Sequence, residues 1–482
     1  MNRTIQKIFA WTLIFLFFII APAIVLYSMG YRLSKDSNDG AILTSTGGIR
    51  INTRIPYEIT INDKFESKSP LLKVGLGPQD LDVVLSLSGY QSWAKKISIK
   101  PSLVQLISEV TLFPEKPKLE KFTDLSLARD ISRVPDASSL LYTSYTPQES
   151  GLWLLNLDTK LRKRITDSVA LGGLDNQDYS DFVWDGTGTT LAFKTSINNI
   201  FQYFVVINVD TNPIIFNITN LIPVADVIAN PVKVISLDTD RLFFTQAGSV
   251  YEIRQQFSTI SEPLVGDIKQ YSFINNNLYY TSNKNMSKNL IRIYNIDTKQ
   301  NTAIDIPDIV VSKVFVSPSQ GHIILLDDNQ QAWLKSLGDK TPEFNKISEL
   351  KYKDVQFSVD SKKALLKGEY ALSTLYLDTL EGYKARFEGD LDTLYTSEEI
   401  ITKAEFWEPN SEYIIFIENN TLKIVESDTR GSINSYTLLK NTKNFISIRI
   451  NNDARTLISN PKDELQYFQF PIRIPLINFN NN

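Results

Sequence analysis

Few side chains in this 482-residue chain could carry out chemistry. It has no cysteine and one histidine. That excludes disulfides, thiolate zinc sites, iron–sulfur clusters, cysteine nucleophiles and multi-histidine metal centres. The one imidazole, His322, lies in Ser319-Gln320-Gly321-His322-Ile323, at a turn entering an apolar strand. A catalytic histidine needs a positioned nucleophile and an orienting carboxylate, so His322 reads as an exposed turn residue. No Gly-x-Ser-x-Gly elbow, P-loop or Gly-x-Gly-x-x-Gly segment occurs. Among carboxylates, Asp175, Asp178 and Asp181 fall in one polar loop and could offer three oxygens to Ca²⁺. Their spacing is not that of an EF-hand, and a solvated loop is the plainer reading. Asp327-Asp328-Asn329 reads as a hairpin turn. Glycosidase carboxylate pairs are defined by separations of roughly 5–9 Å, which sequence does not reveal. No catalytic residue, metal ligand or cofactor is assigned.

Aromatic residues are the other resource. Tyr90 and Trp93 form the candidate binding surface, where rings could meet a glycan; burial in a domain core is the competing role. Trp153, Trp184, Trp333 and Trp407 sit at similar places within repeated units. That points to packing between units, with sugar or peptide stacking in a central mouth as the alternative. The net charge of −4 and pI near 5.4 argue against a nucleic-acid partner, which would need concentrated Lys and Arg. Asn-x-Ser/Thr occurs at Asn217, Asn285 and Asn419, as chance allows in an Asn-rich chain.

The elements that must position these groups begin with a membrane segment. Ile8 to Tyr27 carries no charge, and 20 residues at about 1.5 Å each span a bilayer core. Trp11 and Tyr27 stand near its ends, at headgroup level. Arg3 and Lys7 flank the N-terminal side, whereas Arg32 and Lys35 are balanced by Asp36 and Asp39 on the other. The positive-inside bias puts residues 1–7 in the cytoplasm and the bulk of the chain outside. A cleaved signal peptide ending near Ala21-Pro22-Ala23 competes, but the apolar run is too long and continues beyond it. The expectation is an uncleaved signal anchor over 8–29, then a linker over 30–46.

From 47 to 114 the pattern is of short alternating strands: Ile49–Asn52, Tyr57–Ile61, Leu81–Leu87, Lys95–Ile99 and Leu106–Phe113. That predicts a small β-sandwich. Pro56–Lys64 (PYEITINDK), Ser69-Pro70, Ser88-Gly89-Tyr90-Gln91-Ser92-Trp93 and Val110–Pro114 resemble the PEGA domain, although Pro56-Tyr57-Glu58-Ile59 replaces the four letters that name that family. The resemblance covers about a seventh of the chain. It implies a non-catalytic cell-envelope module in a bacterial protein.

Apolar strands then recur, starting at Leu140, Leu191, Leu242, Leu278, Ile323, Ala364, Tyr413 and Thr456. A period of about 45 residues belongs to propeller blades of four antiparallel strands. Turn chemistry precedes the strands, as in Asp185-Gly186-Thr187-Gly188, Ser317-Pro318-Ser319-Gln320 and Ser358-Val359-Asp360-Ser361. A tag follows the next strand in Asn156-Leu157-Asp158-Thr159, Asn208-Val209-Asp210-Thr211 and Asn295-Ile296-Asp297-Thr298, where Asp followed by Thr could form a side-chain turn. These units resemble the WD40-like, TolB-type propeller repeat, although none keeps the full Ser-Pro-Asp-Gly turn. The expected fold is mainly β, with seven or eight blades over 123–471 and eight favoured. Residues 115–122 are a Pro-containing linker whose Lys118–Phe122 end closes the last blade, and 472–482 is a tail. The functional expectation is a non-enzymatic, single-pass, extracytoplasmic binding or scaffold protein, facing an envelope protein or a cell-wall glycan. The alternative is an exported, carboxylate-dependent glycan hydrolase or lyase.

Overall fold

The computed structural model describes residues 3–28, 30–36, 40–53, 55–108, 110–121, 128–135, 139–144, 149–157, 159–167, 170–171, 178–197, 199–223, 226–227, 230–238, 240–254, 257–282, 289–338, 343–380, 385–407, 411–450, 453–459 and 465–469. Asp175, Asn285 and the tail 472–482 lie outside them.

The apolar N-terminal run forms helix α1 (Arg3–Ser28), with Pro22 inside it. Within its Trp11–Ser28 stretch no residue is buried against the described chain, and the stretch is long and apolar enough to cross a membrane. The segment expected as a linker, 30–46, instead forms a hairpin. Strand β1 (Tyr31–Asp36) pairs antiparallel with β2 (Gly40–Ser45), Tyr31 opposite Ser45 and Asp36 opposite Gly40. Asn38-Asp39-Gly40 is a hairpin signal between short runs, which the surrounding charge obscured.

Seven further strands build the small module: β3 (Gly47–Asn52), β4 (Glu58–Ile61), β5 (Lys64–Lys68), β6 (Leu71–Leu76), β7 (Gln79–Ser86), β8 (Trp93–Ile99) and β9 (Val104–Ser108). They form two sheets, β6-β3-β9 and β5-β4-β7-β8. Ile49 and Ile51 from one sheet meet Ile59, Ile61, Leu81, Val83, Leu85 and Ile97 from the other in one core. Period-two alternation supplies these residues, every second side chain of β3, β7 and β8 pointing inward. Strands β5 and β6 escape a sequence reading because neither alternates cleanly; Leu72 and Val74 of β6 face outward.

The rest of the described chain folds as eight four-stranded antiparallel sheets, seven of them strictly in sequence order, at 128–166, 179–217, 233–260, 268–305, 311–346, 354–396 and 401–440. The eighth takes three strands from 444–469 and its fourth from β10 (Glu120–Lys121), with Glu120 opposite Tyr467 and Lys121 opposite Gln466. Each apolar segment singled out by its spacing lies in the second strand of a sheet, including the weakly marked Leu242–Gln246 and Asp453–Ser459. Consecutive sheets pack face to face. Leu141 and Leu152 of the first share a core with Phe193 and Phe204 of the second, and Phe243 of the third lies 5.1 Å from Phe273 of the fourth, ring centre to ring centre. Meander sheets stacked in series, closed by a strand from before the first sheet, have the connectivity of a β-propeller. Closure by β10 also removes a free sheet edge.

The turn residues act through their side chains. Asp185, Ser317 and Ser358 are buried, and each accepts the backbone N–H five residues on, at Thr190 (3.0 Å), His322 (3.1 Å) and Lys363 (2.9 Å). The expected Asp side-chain turn occurs in Asp378-Thr379, where Asp378 Oδ1 accepts the Thr379 N–H at 2.8 Å, while in two of the tags the acceptor is the Asn. Asn156 Oδ1 takes the Thr159 N–H and hydroxyl, both at 2.9 Å, and Asn295 does the same for Thr298. The Asp297 carboxylate is drawn off instead to Arg241 and Asn276.

Candidate functional site

Strand β8 presents Trp93, Lys95, Ile97 and Ile99 to one side. A lysine in that buried register needs a partner, since an unpaired buried ammonium is costly. The partner is the seventh sheet, at the loop between its strands Thr421–Glu426 and Ser435–Lys440. Lys95 Nζ stands 3.1 Å from Glu426 Oε1 and donates to the Asp428 carbonyl at 2.9 Å. The same Glu426 oxygen accepts from Trp93 Nε1 at 3.2 Å, and Asn434 Nδ2 donates to the other at 2.8 Å. Asn434 Oδ1 turns back to accept the Ala94 N–H at 3.1 Å. Gln91, Ser432 and Tyr436 complete the seat through bonds to Thr437 O, Ala94 O and Ser92 O.

Burial pushes the Glu426 carboxyl above its ordinary range, against the opposing pull of Lys95, Asn434 and Trp93. Burial acts the same way on Asp428, but there the Arg430 fork and the Lys95 ammonium outweigh it and hold the carboxyl low. Arg430 Nη2 lies 2.9 Å from Asp428 Oδ2. The loop passes under β8 at Gly431 (φ +86°), where a Cβ would stand 2.5 Å from the Lys96 carbonyl. Only glycine fits both that conformation and that approach.

An aromatic plug sits beside this polar seat. Phe113, at the start of the linker, is fully buried with ring centres 5.5 Å from Trp407, 5.1 Å from Tyr413 and 5.6 Å from Tyr436. The Tyr413 hydroxyl accepts the Thr111 N–H at 3.1 Å and donates to Thr111 O at 3.2 Å. Its phenol is pushed well above its ordinary range by burial. The linker is also pinned to the Ser88–Gln91 turn, Gln91 N–H to Phe113 O at 2.8 Å and Glu115 N–H to Gly89 O at 3.0 Å.

Of the two residues singled out as a binding surface, Trp93 is 2 % exposed with its indole N–H on Glu426, and Tyr90 is half-buried in a bridge to Pro114. Trp93 therefore abuts the propeller, while Tyr90 packs on the core of its own module. His322 is not the exposed turn residue expected. Its side chain is largely enclosed, with Nε2 3.1 Å from Glu388 Oε1, because a loop of the sixth sheet folds over it. Asp178 is exposed, while Asp181 lies within a strand, paired with Lys194 at 3.3 Å and bonded by the Tyr203 hydroxyl. Among the described residues no three His, Asp or Glu side chains gather in a way that could hold a metal ion. Asp327 shapes its hairpin, accepting from Gln331 N at 2.8 Å and Trp333 Nε1 at 3.1 Å. Trp153 stacks on Tyr142 between Arg162 and Arg164, and Trp407 is buried. Sequence reasoning missed Lys95, Glu426 and Asn434. The signal available was a lysine on the inward register of an amphipathic strand.

No known protein family matches the chain, and no curated protein matches it in sequence. Its likeness is to solved propeller structures. Kluyveromyces lactis Hsv2 is 11 % identical with a TM-score of 0.45, over 65 % of this chain and 98 % of that one. Saccharomyces cerevisiae Sqt1 is 11 % identical with a TM-score of 0.46, over 73 % and 98 %. The β-propeller domain of Myceliophteria thermophila Cps50 (Swd1) is 8 % identical with a TM-score of 0.38, over 73 % and 99 %. Nothing about partners or activity transfers at that distance. The propeller assignment rests on sheet order and closure.

Proposed function

We propose that this chain is a single-pass, non-catalytic scaffold of the cell envelope, holding an eight-bladed propeller in one fixed pose outside the cytoplasmic membrane to engage a protein or cell-wall glycan. The observation that carries the reading is the seat around Glu426, where a charged pair, a glycine-only approach and a buried aromatic plug join the small module to the seventh sheet. A buried ion pair contributes geometric specificity more readily than net stability, which suits a part that must hold an orientation. The PEGA-like module is then a rigid spacer, tied to α1 by the β1–β2 hairpin and to the propeller by the seat. The length of α1 and the basic N-terminal flank support the anchor and its orientation. A presentation role of this kind needs no catalytic cluster.

The test is affinity capture with the full-length chain from native membranes, alongside purified peptidoglycan and envelope glycans. The expected result is a partner that is lost when loops on one propeller face are altered, with the glycans left intact. Glycan cleavage abolished by a single Asp or Glu substitution would replace this reading with the hydrolase or lyase.

A further inference from the structure

A sheet with one face on a core ordinarily turns polar side chains to water. The outer face of β6-β3-β9 does not. Leu72 is 62 % exposed, Val74 57 %, Val104 53 % and Leu106 63 %. Cross-strand register sets them in two rows, Leu72–Arg50–Leu106 and Val74–Gly48–Val104, over the three-stranded sheet. Beneath them Ile49 and Ile51 are wholly buried, so the apolar side chains above are not a misplaced core. Leu103 extends the patch at the end of β9.

This face is continuous with the end of α1. The Thr46 N–H and hydroxyl both bond Gly30 O, two residues past the helix, and the Ser102 N–H bonds Thr46 O at 2.9 Å. The Gly48 N–H then bonds Leu103 O at 2.9 Å. Arg32 lies with its guanidinium 3.6 Å over the Tyr27 ring and reaches to Gly75 in β6. Tyr and Arg at a helix end are the residues that sit at headgroup level.

We propose that this sheet face lies on the lipid bilayer that α1 enters, with Leu72, Val74, Val104 and Leu106 at the acyl boundary and Arg50 reaching to lipid phosphate. The proposal rests on α1 being a membrane span and adds a second, lateral contact that sets the tilt of the module. A second copy of the chain is the poorer occupant, because a two-fold contact centred on this patch would bring Arg50 toward its own counterpart. Interfacial binding needs apolar area edged by cationic charge, and Arg50 supplies charge amid the leucines.

The chain has no cysteine, so single-cysteine variants carry one label each. Full-length L72C and L106C, labelled with an environment-sensitive fluorophore, would be reconstituted in phosphatidylcholine–phosphatidylglycerol vesicles containing shallow nitroxide lipids. F18C serves as the helix control and V359C as the propeller control, Val359 being 74 % exposed. The expected result is quenching at L72C and L106C at least about twofold above V359C, as shallow interfacial insertion requires. Quenching at F18C with L72C and L106C no different from V359C overturns the lateral contact and leaves the anchor intact. Energy transfer between labels at L72C on separate chains, without lipid quenching, overturns it in favour of a second copy. An unquenched F18C removes the anchor and this proposal together.

Discussion

Lys95 Nζ lies 3.1 Å from Glu426 Oε1, with both side chains almost wholly out of water, and this pair joins two separately cored parts of the chain. Removing one partner leaves a buried charge without compensation. K95M should destabilise the native state by about 3–5 kcal/mol. K95M/E426Q, which removes both charges, should recover most of that loss. Urea unfolding followed by intrinsic tryptophan fluorescence measures both, and a double variant as unstable as the single one would show that the pair does not hold the two parts together.

The raised Glu426 carboxyl gives a pH dependence of definite sign. The folded chain holds that proton more tightly than the unfolded chain, whose carboxyl titrates near its ordinary value of 4.5. Stability from this group is therefore lost as the pH climbs from 4.5 through the raised folded value. The stability of wild type relative to E426Q should fall over that interval and level off above it. A difference that stays constant from pH 4.5 upward would contradict the burial argument.

Gly431 tests the fit of the seat without touching its charges. G431A adds a Cβ at 2.5 Å from the Lys96 carbonyl and a left-handed strain of roughly 1–2 kcal/mol. Hydrogen exchange should rise in 91–96 and 431–437 and stay unchanged in the other sheets. G186A is the control, because nothing lies within 4 Å of its Cβ position. Unchanged exchange in G431A would mean that the two surfaces are not held together there.

Much of this architecture is legible in the sequence, and the reasons are local. Tyr413 announces a second strand because a strand buried on both faces is apolar at nearly every position, and Leu191-Ala192-Phe193 does so over the first half of its strand. The closing strand expected within Lys118–Phe122 is met by Glu120–Lys121, which pairs with the eighth sheet. The Asp185 turn is readable because its carboxylate does the same work in any such turn. The seat is not readable in this way. Lys95 and Glu426 lie 331 positions apart, and neither is unusual until both are buried. Trp93 is the kind of residue a glycan platform uses, but its strand turns it into the module core and its indole N–H is taken by Glu426, a partner the sequence does not reveal.

The Asp185 turn carries a prediction of its own. Asp185 Oδ1 accepts from Thr189 N and Thr190 N, and Oδ2 from the Thr187 and Thr189 hydroxyls. D185A would leave two backbone donors unpaired at a buried position, a loss of about 1–3 kcal/mol by urea unfolding. A change within about 0.5 kcal/mol, as at an ordinary surface site, would show that the turn forms without its side chain.

The central claim is a propeller fixed in one pose relative to its membrane helix. It is tested most directly by the distance between spin labels on F65C, in the small module, and V359C, on the propeller, in the full-length chain in lipid nanodiscs. Both positions are strongly exposed, and the absence of native cysteine leaves only the two labels. A propeller held in one pose gives one narrow distance distribution that broadens in G431A. A broad or multi-peaked distribution in the wild-type chain would contradict it, leaving the propeller to swing on the 113–118 linker.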